Sequence, residues 1–323
     1  MFRLIRIEMW KAVLRKNFLI ALIICTVLTI GFGWFLSADL NLGSEKSVEE
    51  MEMEQRYARA EDWKQRLRVE MEMNQYTASV FGQEKIDMKN ALLQYRIDND
   101  LEPYEKNTVW NFISYTYQIL NNMLSIFAVV FIVDIVAMEF YDKTIKLLYT
   151  KPYSRCVLLS SKFLTGVIFT LILTSVITFV AYIAGGMFFS FDGAFVKCPV
   201  YFFGDIYTLS ALGESLCYVF SAGLKALIIM TVAFFIVVIT KNQMASTLIS
   251  LGLLFFGSGL SNKLLERGME WVRFSLFINY DLNEFINQPM DKGYLPILTI
   301  GVVAVHVVIL YFASMHIIKK QDI

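Results

Sequence analysis

Phe18 to Ser37 is a run of 20 residues without a charge, and it excludes most folds open to a chain of this size. About 20 apolar residues in a helix match the hydrocarbon core of a bilayer, about 30 Å thick. Comparable stretches follow at about 109–138, 157–189, 213–240, 244–260 and 295–318. Together they account for a composition that is 56% hydrophobic and 18% charged, where soluble domains hold about 45–50% and 25%. The expected fold is all-α: a polytopic, multi-pass membrane protein with six transmembrane helices.

Arg3, Arg6, Lys11, Arg15 and Lys16 precede the first run. That run is longer than the roughly 7–15 apolar residues of a cleavable signal, and no small-x-small site follows, so it reads as an uncleaved first span. Residues 2–16 set Phe2, Ile5, Met9 and Val13 on one side and Arg3, Lys11 and Arg15 on another. This suits an amphipathic helix resting in the interface, or equally a cytosolic extension of the first span.

The chain divides into an amphipathic helix with the first span (1–37), an extramembrane insertion (38–109) and a core of five spans (110–323). The insertion holds 16 acids and 10 bases. Glu45 to Val80 lacks proline and glycine and is rich in helix formers. A second helix over about Glu84–Asn99 ends ahead of Pro103, so the insertion is expected to be a helical hairpin, its first arm about 50 Å long if continuous. Residues 261–294 mix charges and aromatics without a full span and suit short interfacial or re-entrant helices. Lys241-Asn242 makes a tight turn between the fourth and fifth spans.

Charge gives the spans a direction. With six spans both termini share a side, and that side carries 13 bases against four acids. The short basic loops belong in the cytosol, which places the N- and C-termini there, in a bacterial plasma membrane, and the 38–109 hairpin outside. Zero net charge and no basic domain argue against a nucleic-acid partner. Four cysteines are too few for a disulfide framework; only Cys198 with Cys217 is a conceivable pair.

Two polar stripes lie within spans. Ser114, Gln118, Asn121, Asn122 and Ser125 cluster on the second, while Glu214, Tyr218, Ser221 and Lys225 follow i, i+4, i+7, i+11 spacing on the fourth. Polar groups at this depth face protein or a wet cavity. They suit a translocation path through Ser114, Gln118, Asn121, Asn122, Tyr218, Ser221 and Lys225, and they suit interhelical hydrogen bonds as well. Lys225 demands a counter-charge or water. Asp134 lies near the cytoplasmic end, within reach of Arg155 or Lys162.

Catalysis in the chain itself has no support. No G-x-x-x-x-G-K-[ST] or H-E-x-x-H run is present, and His306 and His316 stand on different faces of the last span. Gly257-Ser258-Gly259 lacks the preceding glycine of an intramembrane serine-protease loop and reads as close packing of small residues.

The segment Asp134 to Lys162 is the most distinctive. Glu139-x4-Thr144-x-Lys146-Leu147-Leu148, then Lys151-Pro152-x-Ser154-Arg155 and Lys162-Phe163-Leu164, resembles the cytoplasmic signature of ABC-2-type permeases, with Lys143 where that family usually has glycine. The resemblance extends to the six-span order and to the variant with an enlarged first outer loop. It implies the membrane subunit of an ATP-driven exporter, acting as a homodimer or heterodimer of permeases on two separate ABC ATPase subunits. On that resemblance, 139–150 is the coupling helix, with Glu139, Thr144, Ile145, Lys146, Leu148, Tyr149, Pro152 and Arg155 as its contacts. The chain then holds no cofactor, and ATP with Mg belongs to the partner. The substrate class stays open among peptide antibiotic, lipid and other amphiphile. Two alternatives remain: a membrane-anchored sensor or assembly protein acting through the 38–109 hairpin, and an ion-driven transporter or channel.

Overall fold

A computed structural model describes residues 2–13, 16–38, 55–76, 82–104, 107–141, 153–288 and 296–320. Six helices are long and apolar enough to cross a membrane: α2 (Lys16–Ser37), α5 (Val109–Tyr141), α6 (Arg155–Phe188), α7 (Ala211–Thr240), α8 (Gln243–Glu266) and α10 (Pro296–Lys320). α1 is Phe2–Val13, and the insertion contributes α3 (Trp63–Tyr76) and α4 (Gln83–Asp98).

α5 and α7 form the centre and pack on each other along their lengths. They bury 67% and 72% of their apolar windows, against 17% for α10, so the remaining spans are a partial ring around this pair. α6 lies against α5, α2 packs on α6 and α5, and α10 leans on α7 and α6. Gly166 shows how close the centre is: a Cβ there would stand 2.7 Å from Ile132 Cδ1 and 2.7 Å from Met230 Sδ. Lipid chains are as apolar as leucine, so close packing and internal hydrogen bonds hold such a bundle. Buried hydroxyls accordingly turn onto their own helix: Thr165, Thr170 and Thr174 donate to the carbonyls of Ser161, Gly166 and Thr170.

Helix ends follow local chemistry. Ser154, Ser210 and Asn242 cap α6, α7 and α8, each accepting an N–H from three residues on. Lys241 closes α7 in the left-handed region, φ 54°, so the expected tight turn is one C-cap residue followed at once by an N-cap. The spans begin and end within a few residues of the expected positions, except that α8 runs six residues further, to Glu266.

Two expectations need correction. The loop around Pro199 is a β-hairpin, β1 (Lys197–Phe202) with β2 (Asp205–Ser210), an exception to the all-α reading. Phe203 and Gly204, both at positive φ, make its two-residue turn. The long first arm of the insertion is not continuous either. Helix at 55–59 breaks at 60–62, and α3 restarts with the Gln65 and Arg66 N–H groups donating to the Asp62 carbonyl. α3 and α4 pack side by side through buried Leu67, Val69, Ile86 and Met88, and α4 rests on β1. Cys198 and Cys217 are both free thiols.

α1 is a helix separate from α2 and docks on α6. Glu8 fixes the contact, accepting from Lys11 at 2.8 Å and from Lys162 at 3.5 Å. Burial alone would raise the Glu8 carboxyl, but Lys162 and Lys11 together hold it below the ordinary value of 4.5. A depressed carboxylate stabilises the fold above its unfolded pKa and loses that contribution as pH falls through the folded value. The hydrogen-exchange protection factors of α1, corrected for the intrinsic pH dependence of exchange, are thus expected to fall on acidification below about pH 4.5, and Glu8→Gln should show low protection at all pH values. An α1 equally protected in both proteins would contradict this.

Gly257 sits under the Phe277 ring, where a Cβ would meet Cδ1 at 2.6 Å, whereas nothing lies within 4 Å of Gly259. Close packing therefore explains the first of these glycines and not the second. Gly257→Val should cost about 1–3 kcal/mol by overpacking and lower the thermal midpoint in detergent, while Gly259→Val leaves it within about 0.5 kcal/mol.

Candidate functional site: a polar column between the two central helices

Lys225 is the fifteenth residue of the 30 in α7, about 22 Å from either end and hence at the depth of the bilayer midplane. Its side chain is 3% exposed and its Nζ stands 2.5 Å from Asp281 Oδ2. Asp281 belongs to the stretch between α8 and α10: a 3-10 turn (Glu270–Phe274), the short α9 (Leu276–Asn279) and a second 3-10 turn (Leu282–Phe285). That stretch packs back on α7, α8 and α10, and it delivers the counter-charge that Lys225 needs. Sequence reasoning found the lysine and missed the aspartate, which lay in a segment without span-like periodicity.

Neighbours complete the pair. Asn122 Oδ1 accepts from Lys225 at 2.7 Å, and Asn121 Nδ2 donates to both Asp281 oxygens at 3.2 Å. The Tyr280 ring lies 5.5 Å from the ammonium, while its hydroxyl donates to the Leu254 carbonyl at 2.9 Å and ties the segment to α8. An isolated charge at this depth is costly, and these groups supply the partners that keep both ionised groups satisfied.

Asn287 anchors the other end of the segment. Its backbone N–H donates to the Tyr201 carbonyl at 2.8 Å, and its Oδ1 accepts from the Tyr201 N–H at 2.9 Å. Its Nδ2 donates to Glu214 Oε1 at 3.1 Å and to the Tyr218 hydroxyl at 3.3 Å. Asn287 has φ 52°, a conformation asparagine tolerates better than most residues. The segment is thus held to β1 at one end and to mid-α7 at the other.

Beside the Asn287 anchor lies a cavity of about 370 Å³ at the ends of α5 and α7 nearest the β-hairpin, with Ser114, Gln118, Glu214, Tyr218 and Asn287 in its wall together with Arg96 of α4. The seven candidate path residues therefore form one column. Ser114, Gln118 and Tyr218 line the cavity, Asn121, Asn122 and Lys225 belong to the ion-pair cluster, and Ser221 is buried on the same α7 stripe with its hydroxyl unpartnered. Asp134, near the other end of α5, accepts from Gln243 Nε2 at 3.1 Å, and Lys162 donates to the Ile135 carbonyl at 2.9 Å.

Of the residues assigned to the coupling segment, Arg155 is the first residue of α6. Glu139 lies in the last turn of α5, its side chain outside the described residues; Thr144, Ile145, Lys146, Leu148, Tyr149 and Pro152 also lie outside them. Among the described residues no cluster of three His, Cys, Asp or Glu is placed to hold a metal.

Fold and column define a multi-pass α-helical membrane protein with a charge pair at mid-span. The chain belongs to the family described as a protein of unknown function, DUF2705, whose model matches residues 78–323. It is 27% identical over 238 residues to the uncharacterized protein YhcI of Bacillus subtilis (strain 168), covering 72% of this chain and 75% of that protein. It is also 26% identical over 216 residues to the uncharacterized membrane protein YdbK of the same organism, covering 66% of this chain and 82% of the relative.

Removing one member of the buried pair strands the other. Asp281→Asn or Lys225→Met alone is expected to cost about 3–5 kcal/mol in detergent unfolding. The Lys225→Met/Asp281→Leu double variant should recover most of that loss. Additive losses in the double variant would show that the two charges do not act as a pair.

Proposed function

We propose that the chain is the permease subunit of an ATP-driven exporter of the ABC-2 type, working with a second permease copy and two separate ATPase subunits. The observation that carries the reading is the Thr144-x-Lys146-Leu147-Leu148 and Pro152-x-Ser154-Arg155 pattern, set where the central helix α5 hands over to α6. Six candidate spans and a polar column along the two most buried helices support it. In this arrangement the 139–150 segment is a cytoplasmic coupling helix. Ile145, Leu148 and Tyr149 fill an apolar groove on the ATPase, and Lys146 and Arg155 set register and encounter rate. Nucleotide-driven closure of the ATPase pair pushes on this segment, and α5 carries the displacement to the column. ATP and Mg act on the partner, both termini face the cytosol of a bacterial plasma membrane, and the 38–109 hairpin stands outside.

A second reading, an ion-driven transporter, is favoured by one observation: the Lys225–Asp281 pair at mid-span, of the kind that proton and ion relays use.

One experiment separates them. The tagged chain purified from native membranes should bring a stoichiometric Walker-type ATPase with nucleotide-hydrolysing activity. Lys146→Glu/Leu148→Asp/Arg155→Glu should weaken that association at least about tenfold, roughly 1.4 kcal/mol or more, with helix content and membrane insertion unchanged. A stable chain with no ATPase, or an unaffected association in the variant, sinks the exporter reading.

A further inference from the structure

We propose that the cavity under the β-hairpin binds the ammonium–phosphate headgroup of a zwitterionic phospholipid drawn from the surrounding leaflet. The inference is independent of whether an ATPase drives the chain.

Depth is the first argument. α5 has 33 residues and α7 has 30, so each spans about 45–50 Å against a hydrocarbon core of about 30 Å. Each helix overshoots the core by about 7–10 Å at either end, and residues near 111–118 and 211–218 therefore straddle the headgroup boundary. Trp110 and Tyr182, with ring centroids 6.0 Å apart, mark the same level, where aromatic belts sit.

Charge is the second. Arg96 and Glu214 line one cavity and attract each other across it, and Arg96 also feels the Glu70 carboxylate. Among the described residues no contact of ion-pair length joins Arg96 to Glu214. Glu214 has only its Oε1 engaged, by Asn287. Arg96 lies against the Cys198 thiol, and its Nη1 has no hydrogen-bond partner. A group carrying both signs neutralises both residues at once, which neither an anion nor a cation alone achieves. Asn111 and Gln118 add neutral donors and acceptors to the wall, and about 370 Å³ suits a headgroup rather than a whole lipid.

Access is the third. Tyr115 and Gln118 line the cavity and also stand on the outward face of α5. Ile119 and Met123 continue that face one turn deeper, 55% and 38% exposed. A headgroup in the cavity thus leaves its acyl chains beside apolar side chains at the proper depth. A water-soluble zwitterion would match the charges and make no use of this strip.

The test uses the full chain in detergent and titrates it with short-chain phosphatidylethanolamine, short-chain phosphatidylglycerol and soluble glycerophosphoethanolamine. Phosphatidylethanolamine should bind at least about tenfold tighter than either of the others. Glu214→Gln, which keeps an acceptor for Asn287, should remove the preference over phosphatidylglycerol. Arg96→Gln should weaken both lipids together. The three-ligand comparison on the unaltered protein stands even if a variant unfolds. Equal binding of the two lipids overturns the proposal, as does a Glu214→Gln protein that keeps the preference at an unchanged thermal midpoint. Soluble headgroup binding as tightly as the lipid overturns the lipid assignment.

Discussion

The ion pair between Lys225 and Asp281 organises this molecule, because a lysine at mid-span has few ways to stay charged. It can meet water, reach for an interface, or be given a carboxylate. Here it is 2% exposed as a residue and too far from either end of α7 for its side chain to reach a headgroup. The carboxylate must then come from a neighbouring element, and no other span offers one at that level among the described residues. The chain solves this with the segment after α8, which turns back through α9 and delivers Asp281. The irregular backbone of that segment is tolerable at such depth because it packs on α7, α8 and α10, with Asn121 of α5 on Asp281. Asn287 then holds its far end to β1 and α7, so one interaction fixes the geometry of three elements.

The spans were legible because a bilayer imposes a length, and uncharged runs of that length have few other uses. Glu214, Tyr218, Ser221 and Lys225 were legible as a stripe by their helical spacing. Asp281 was not, since nothing local distinguishes an aspartate that enters the bundle from one that stays at the surface; the pairing partner lies 56 residues away. The β-hairpin was missed for a related reason. Phe203-Gly204 is a plausible turn, but the flanking Val200, Tyr201 and Ile206 read as interfacial aromatics and aliphatics as readily as strand residues. The break at 60–62 was hidden because Ala60, Glu61 and Asp62 are all tolerated near helix ends or within helices.

On the proposed reading, the column links these pieces. Its upper part is a cavity lined by Arg96 and Glu214, which attract each other without ion-pair contact, and its lower part is a pair closed by amide hydrogen bonds. The stretch from Asp281 to Asn287 joins them alongside α7, so any displacement of that stretch alters both parts together. α5 is the other wall, contributing Ser114 and Gln118 to the cavity and Asn121 and Asn122 to the pair. A push delivered at its far end, next to Asp134, would act on the whole column as a rigid lever.

Asn122 adds a constraint from outside the chain. Its Oδ1 serves Lys225, yet the residue is exposed on the outer face of α5, in register with Tyr115 and Gln118. Lipid tails offer nothing to its amide protons, and an unsatisfied polar group in hydrocarbon costs several kcal/mol. The Asn122 amide therefore takes a polar partner such as water on a face otherwise lined by Ile119 and Met123. The strength of the Lys225–Asp281 attraction then depends on that partner: it rises where the surroundings of Asn122 are dry and falls where water enters, since the effective dielectric changes. Wetting of this face would loosen the segment that Asp281 holds.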